Sequence, residues 1–447
     1  MRIKRIMVKK YKNLIDFDCE FSDSNISAFI GNNGAGKSNI LELITSVFSV
    51  AKNKANSNPN GTVFFPEILG CEIEYEYEGI EYKLCYNKLD IGIYLHSKKL
   101  TQKEMLQALP EAIMIYYAGE TKRQYASVKD TFDERYNNIL KKASGADSPG
   151  FKFLDYYSTN DLDLLLLTAA VYKGEYYKNL LRYINCTDIS TKIDLFLNDP
   201  KEKGGNADTY WGARGFVKSF LDELRKYVTS TQDLDVSYIM SFKDAGLWKK
   251  TSENEAALFA KLNALKNSGY FYGFNIILTR NDGNKFLYDY LSEGEKQLAL
   301  IYLLTSFTAN NNCLYLFDEF DAYLHLNWQR SISKMLNDVD VNGHIIFTTH
   351  SPGTISQMKS DNLYIMKKGQ VIYPESETYN RALDEIMLEQ MDVSMRPQEI
   401  EELYDKFKQS VAERNKEQAE HWMYALADIL DETDPLFTKM RINLRRI

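Results

Sequence analysis

Apolar and polar positions alternate, or run apolar, through "RIKRIMVKKY" and "NISAFIG" near the amino terminus, and both stretches predict strands. A glycine-rich loop, "GNNGAGKSN" (Gly31–Asn39), follows directly. It opens "KSNILELITSVFSVAK", where Ile40, Ile44, Val47 and Phe48 recur at helical spacing. The polar stretch Lys52–Thr62 ends this unit. "CEIEYEYEG", "IEYKLCYN" and "IGIYLHS" alternate cleanly and predict an antiparallel meander, while "EAIMIYYAG" (Glu111–Gly119) is apolar throughout, as a strand in a buried sheet would be. From Thr121 to Tyr270 helical patterns dominate without sustained heptads, which predicts a compact helical insertion. "FNIILTR", "LSEGEKQLALIYLLTSF", "CLYLFDEFD" and "HIIFTTHSP" restore the strand–helix alternation, and beyond Pro374 the chain reads as acidic amphipathic helix. The pattern divides the chain into residues 1–120, an insertion 121–270, a returning segment 271–375 and a helical tail 376–447.

Composition narrows the function classes. The 447 residues are 44% hydrophobic and 26% charged, ordinary for a globular protein, and the net charge of −8 argues against coating nucleic acid through bulk charge. Cys19, Cys71, Cys85, Cys186 and Cys313 are scattered without metal-type spacing, which points to a reducing compartment and away from structural zinc. The amino terminus lacks the apolar core of a signal peptide, and "DLDLLLLTAAVY" (Asp161–Tyr172) is too short to span a bilayer. A cytoplasmic protein without a membrane segment is expected, and that apolar run is expected to be a buried helix.

Four stretches carry candidate chemistry. "GNNGAGKS" fits G-x-x-x-x-G-K-[ST]: Gly31, Gly34 and Gly36 let backbone amides turn inward around phosphates. Lys37 reaches the β- and γ-oxygens, Ser38 offers a hydroxyl to Mg²⁺, and the helix start favours the anion. The alternative is a chance glycine-rich turn, which the strand before and the helix after disfavour. "CLYLFDEF" is an apolar strand delivering two carboxylates at its carboxyl end, Asp318 for the metal and Glu319 to polarise water. Alone, such a strand is as often structural. "HIIFTTHSP" ends in His350, placed to donate to a γ-phosphate, whereas His344 at the other end of that strand has no assigned role. In "YLSEGEKQLALIYLL", Ser292 and Glu295 form a capping box; that is an ordinary helix start, yet its free amides also make a second anion site.

In this order the four stretches resemble the ABC-type ATPase head of the SMC, RecF and OLD-like proteins. "GNNGAGKSN" looks like their Walker A, "LSEGEKQ" like the ABC signature, "CLYLFDEF" like Walker B and "TTHSP" like the switch-histidine segment. The resemblance implies an α/β ABC-type P-loop ATPase head, a mixed sheet with an antiparallel subdomain, split by the helical insertion and followed by the helical tail. It implies ATP and Mg²⁺ as cofactors and assigns Asn32, Asn33, Gly34, Ala35, Gly36, Lys37, Ser38 and Asn39 to the nucleotide. Ser38 and Asp318 would hold the metal, Glu319 and His350 would be catalytic, and Ser292, Gly294 and Glu295 would act in trans across a homodimer or higher oligomer. "DEFDAYLHLNWQR" is similar to the D-loop region of the OLD-like branch, with Tyr323 in place of a His and Leu326 in place of a Pro; this puts the role of His325 in doubt. Gln124 lies several residues beyond the expected Q-loop position.

The insertion is far shorter than an SMC arm, and nothing after "TTHSP" resembles a Toprim nuclease. Heads of this build look like the ATPase subunits of anti-phage systems, PtuA-like proteins of Septu and retron systems first and the PARIS ATPase next. These imply a sensor or scaffold that restrains a separate effector nuclease of HNH or Toprim type, with the acidic tail either a docking surface or a solvated cap. The rival is a RecF-like repair ATPase binding nucleic acid directly, supported by Lys4, Arg5, Lys9, Lys10 and Lys12 and by the carboxyl-terminal "RINLRR". Transporter and kinase readings leave the long insertion, the signature or the histidine unexplained.

Overall fold

A computed structural model describes residues 1–56, 65, 67–118, 129–142, 149–199, 206–234, 237–381, 386, 396–431, 433–445 and 447. Gln124 lies outside these residues. The chain forms two compact units, Met1–Asn380 and Arg381–Ile447.

The first unit is built on a seven-stranded sheet. Its order is Gln370–Ile372, Leu363–Lys367, Ile26–Ile30, His344–Thr348, Leu314–Asp318, Ile113–Tyr117 and Leu154–Tyr157, parallel apart from the hairpin strand Gln370–Ile372. Strands Ile26–Ile30, Leu314–Asp318 and His344–Thr348 are buried at every position. This is why they read as continuous apolar runs, as expected of strands covered on both faces. The predicted meander is a six-stranded antiparallel sheet, ordered Leu14–Glu20, Arg2–Tyr11, Gly70–Tyr77, Ile80–Asn87, Ile91–Leu95 and Lys98–Lys99. One face of it is buried, and Gly70–Tyr77 alternates half-buried and buried along its whole length.

Helix Lys37–Ala55 lies in the core shared by the two sheets, where Ile40, Ile44, Val47 and Phe48 meet Ile6, Ile73 and Ile93 of one sheet and Phe29, Leu316 and Ile346 of the other. Burial of each such side chain contributes about 1.5–3 kcal/mol. Two hydroxyls buried on the helix are satisfied within it: Thr45 Oγ1 donates to the Leu41 carbonyl (2.9 Å) and Ser49 Oγ to that of Thr45 (2.6 Å).

The inserted segment is richer in strands than its sequence suggests. Leu162–Tyr172 is the expected buried helix. Ser230–Leu234, Ser237–Phe242, Ile193–Asn198 and Phe271–Asn275, however, form a four-stranded antiparallel sheet, and Leu154–Tyr157 edges the main sheet. The alternation that makes Ile193–Asn198 a strand was short enough to be lost among helical neighbours: Ile193, Leu195 and Leu197 point inward while Asp194, Phe196 and Asn198 are half-exposed. "FNIILTR" breaks at buried Ile276, so that Phe271–Asn275 pairs with Ile193–Asn198 and Ile277–Arg280 with Cys186–Ile189.

The second unit contains helices Gln398–Ala412, Lys416–Ala427 and Pro435–Leu444 around Ile400, Phe407, Leu426, Phe437 and Met440. Arg396 forks onto Asp434 (2.7 and 3.0 Å), whose Oδ1 also caps the last helix through the Leu436 amide (2.8 Å). Among the described residues no helix is long and apolar enough to cross a membrane.

His344, without a role in the sequence, ties the two sheets together. Its Nδ1 accepts from the Ile3 amide (3.1 Å), which leaves the proton on Nε2 to donate to Ser27 Oγ (3.0 Å). Complete burial pushes its pKa from 6.5 down to about 3, so the folded protein holds it neutral. Below pH 6.5 the unfolded chain binds a proton the folded chain refuses, so stability is full above that pH and falls on acidification by about 1.4 kcal/mol per pH unit. Denaturant unfolding between roughly pH 6.5 and 5 should therefore show a shallower pH slope in His344→Gln, by about 1 kcal/mol per pH unit, whatever the variant's absolute stability. An unchanged slope would remove His344 as the source.

Candidate nucleotide site

The carboxyl ends of three neighbouring strands deliver the site. Strand Ile26–Ile30 runs into Gly31, whose φ of 135° is open to glycine; a Cβ there would meet the Met366 carbonyl oxygen at 2.3 Å. The chain turns through Asn32, Asn33 and Gly34, which are exposed, to buried Ala35 and Gly36. Gly36, at φ 111°, starts helix Lys37–Ala55 without a side-chain cap, so the first-turn amides keep their capacity for an anion. Lys37 is 5% exposed and folds back over the loop, its Nζ donating to the carbonyls of Gly31 (2.8 Å) and Asn32 (3.2 Å). Burial lowers its pKa to about 8, against the opposing pull of Glu319 and Asp318. An incoming phosphate would supply the missing negative charge and draw the ammonium off the carbonyls.

Strand Leu314–Asp318 brings the carboxylates. Asp318 is 1% exposed, and Ser38 Oγ donates to its Oδ1 at 3.1 Å. Burial raises the Asp318 pKa while hydroxyl bonds from Thr348 and Ser38 oppose it. A paired hydroxyl and carboxylate beside the phosphate loop is a donor set suited to a hard divalent cation such as Mg²⁺. Among the described residues no group of three or more His, Cys, Asp and Glu could hold a metal by itself. The chain leaves the sheet at Glu319, which adopts a left-handed φ of 50°. Its Oε1 lies 3.7 Å from His350 Nε2. Burial and then Lys37 lower the His350 pKa, with Glu319 pulling the other way, so the ring is neutral at pH 7. His350 Nε2 is buried without a hydrogen-bond partner among the described residues, an orphan that a phosphate oxygen would satisfy.

The signature residues sit at another helix start. Ser292 caps helix Glu293–Phe307: its Oγ accepts from the Glu295 amide (3.3 Å), and Glu295 Oε2 accepts from the Ser292 amide (2.9 Å) and hydroxyl (3.0 Å). Arg280 Nη1 donates to Glu295 Oε1 at 2.8 Å. Burial works to raise the Glu295 pKa, and Arg280 and Ser292 overcome it, holding the carboxyl below its ordinary value. A Cβ on Gly294 would come within 3.1 Å of the Tyr323 carbonyl oxygen, so this helix start packs on the loop after Glu319. Among the described residues none of Ser292, Gly294 and Glu295 hydrogen-bonds to the phosphate loop.

Three residues given no role of their own in the sequence reading also shape the site. Asn13, in the turn between the first two strands, donates from Nδ2 to the Gly34 carbonyl (3.0 Å) and accepts at Oδ1 from Asn39 Nδ2 (2.7 Å). Asn39 thus reaches the loop through Asn13. Thr348 bonds both Asp318 Oδ1 and the Glu319 amide. Asp321, pushed up to about 6 by burial against the pull of its hydroxyl partners, accepts from Thr349 and Thr354. Together with the Ser351–Gln329 bond (2.6 Å) this fixes the backbone on both sides of His350. His325 caps helix Leu326–Asp338. "YKNL" between alternating strands signals a turn, but nothing local in the sequence tells which loop that turn touches.

Residues 1–355 match the AAA ATPase domain family, and the chain belongs to that family. Among curated proteins it is 22% identical to "Retron Vc95 probable ATPase" of Vibrio cholerae serotype O1 biovar El Tor, over 95% of this chain and 88% of that one. It is 28% identical to "Retron Ec83 probable ATPase" of Escherichia coli, over 89% and 78% of the two chains. It is also 25% identical to "Septu protein PtuA" of Bacillus thuringiensis, over 54% of this chain and 74% of PtuA. Among solved structures, the SMC head domain from Thermotoga maritima aligns over 84% of this chain and 100% of its own, at 14% identity and a TM-score of 0.38.

If Asn13 braces the loop, Asn13→Ala should weaken ATP binding by about three- to tenfold, the worth of roughly one lost hydrogen bond. Adding Asn39→Ala should cost little more, because both act through one contact. Calorimetric titration of the single and double variants checks this, and simple additivity would separate the two residues.

Proposed function

We propose that the chain is an ABC-type, Mg²⁺-dependent ATPase that closes as a homodimer around ATP and, as a sensor or scaffold in anti-phage defence, controls a separate effector nuclease. The observation that carries the enzymatic part is the convergence of Lys37, Ser38, Asp318, Glu319 and His350 at one strand edge. Amides at the start of helix Lys37–Ala55 and the Lys37 ammonium would hold the phosphates, with Ser38 and Asp318 holding the cation. When bound, the cation would offset the negative charge of the phosphates. Glu319 would orient and deprotonate water, and neutral His350 would donate a hydrogen bond to the γ-phosphate. Among the described residues Ser292, Gly294 and Glu295 make no hydrogen bond to the phosphate loop of their own subunit, which favours use by a second copy. Similarity to the two retron ATPases across most of both chains supports the defence role.

Direct nucleic-acid binding is the weaker reading. Lys4 pairs with Glu76 and Glu81, Arg5 with Asp18, and Lys12 with Glu42, so three of the five amino-terminal basic residues that suggested it are already paired. Lys9 and Lys10 remain exposed.

Lys37→Ala should abolish ATP binding. Glu319→Gln should keep binding while lowering hydrolysis by at least about a hundredfold, the scale of losing a general base, and should accumulate an ATP-dependent dimer by light scattering. Wild-type hydrolysis in Glu319→Gln would overturn the base, and a monomer at saturating ATP would overturn the dimer. Co-expression with the product of the adjacent gene tests the defence role: nuclease activity should be restrained in the complex, and purified chain cutting DNA or tRNA by itself would end the proposal.

A further inference from the structure

We infer that Thr348 is a positioning residue for hydrolysis, fixing Asp318 and Glu319 relative to the phosphate loop through one hydroxyl. The inference rests on the ATPase reading above. The parallel pairing of Leu314–Asp318 with His344–Thr348 runs from Leu314↔His344 to Phe317↔Phe347. The next step would set Asp318 against Thr348, but the chain turns left-handed at Glu319 and leaves the sheet. The Glu319 amide, which can no longer follow the ladder, donates to Thr348 Oγ1 at 2.9 Å. The hydroxyl has one proton, and it goes to Asp318 Oδ1, the same oxygen that accepts from Ser38.

Thr348 is itself held from the other side. It pairs with Phe29 on the phosphate-loop strand, and the Thr349 amide donates to the Phe29 carbonyl at 3.1 Å, two residues before Gly31. Its side chain is fully buried, and its β-branched carbon restricts the rotamer from which the hydroxyl points. One short path therefore runs from the phosphate-loop strand through the Thr348 hydroxyl to the metal-side carboxylate and to the backbone that aims the water-side carboxylate. Among the described residues Thr348 makes no hydrogen bond to Gly31–Asn39 itself and reaches Ser38 only through Asp318, so removing its hydroxyl should alter geometry at Glu319 more than nucleotide affinity.

The test compares Thr348→Val, which keeps shape and strand preference, with Thr348→Ser, which keeps the hydroxyl. Thr348→Val should lower kcat by about 10- to 100-fold, the scale of a misplaced catalytic group, with ATP affinity within about threefold of wild type. Thr348→Ser should recover most of kcat. In the Glu319→Gln background Thr348→Val should add a smaller loss than it causes in the wild-type chain, because part of its effect passes through Glu319. If the valine variant does not fold, Thr348→Ala against Thr348→Ser isolates the same hydroxyl. Equal kcat in Thr348→Ala and Thr348→Ser, or affinity falling in step with kcat, would overturn the proposal as merely structural. Wild-type hydrolysis in Thr348→Val while Glu319→Gln is inactive would overturn it and leave the ATPase reading standing. Wild-type hydrolysis in Glu319→Gln itself would remove Glu319 as the base and with it the role given to Thr348, whereas absence of hydrolysis by the wild-type chain would remove the ATPase reading.

Discussion

Ile26–Ile30, His344–Thr348 and Leu314–Asp318 are buried at every position and pair in one parallel register, with Phe317 level with Phe347 and Phe29 level with Thr348. The chemistry depends on that register. Each strand ends within a residue or two of the others, so Gly31, Asp318 and Thr348 emerge together at one edge. A slip of one residue would turn a whole strand's side chains to the opposite face and carry Asp318 away from Ser38. Because both faces of the sheet are covered, such a slip would also bury polar side chains, which the core resists far more strongly than any contact in the site could compel.

The cover on one face is helix Lys37–Ala55, which explains why the phosphate loop is rigidly mounted. A helix buried against two sheets cannot tilt to follow its own amino terminus, so Gly36 and Lys37 stay where the core puts them. His344 fastens the sheets at the other end of its strand, far along the chain from the Ile3 amide it serves. His350, six residues on, differs: its Nε2 is buried without a hydrogen-bond partner among the described residues, and its backbone is held on both sides by the Asp321 and Ser351 bonds. His344, by contrast, uses both ring nitrogens within the fold.

The phosphate loop, the carboxylate strand and the capping box are legible in sequence because each is local. Their chemistry is written within ten residues, and glycine spacing or an apolar run declares the conformation. Asn13, Thr348 and Asp321 were not legible, because what they do is decided by partners brought together by the sheet: Asn13 by Gly34 and Asn39, Thr348 by Asp318, Asp321 by Thr354. The strands of the inserted segment were missed for a different reason. Short alternating runs such as Ile193–Asn198 form only because Ser237–Phe242 and Phe271–Asn275 arrive on either side, and no single-window periodicity records that. Lys4, Arg5 and Lys12 show the same limit in electrostatics, for these three bases become ion pairs once the sheet and, for Lys12, helix Lys37–Ala55 set acids opposite.

Ser292, Gly294 and Glu295 read as a cap and as a signature, and the geometry separates what each atom can do. Glu295 spends its carboxylate on the Ser292 amide and hydroxyl and on Arg280, and the Ser292 hydroxyl oxygen accepts the Glu295 amide. The amides of Glu293 and Gly294 stand ahead of that closed ring, in the first turn where a helix has no partners of its own for its donors. Gly294 packs its α-carbon against the Tyr323 carbonyl, so a side chain there would press the helix start away from the loop that follows Glu319. On the proposed dimer reading, the group offered to a second subunit's phosphate is therefore this pair of backbone amides, and Glu295 serves by keeping the helix end fixed. The cap and the signature are then one device: a helix start rigid enough to hold its free amides in place for an anion.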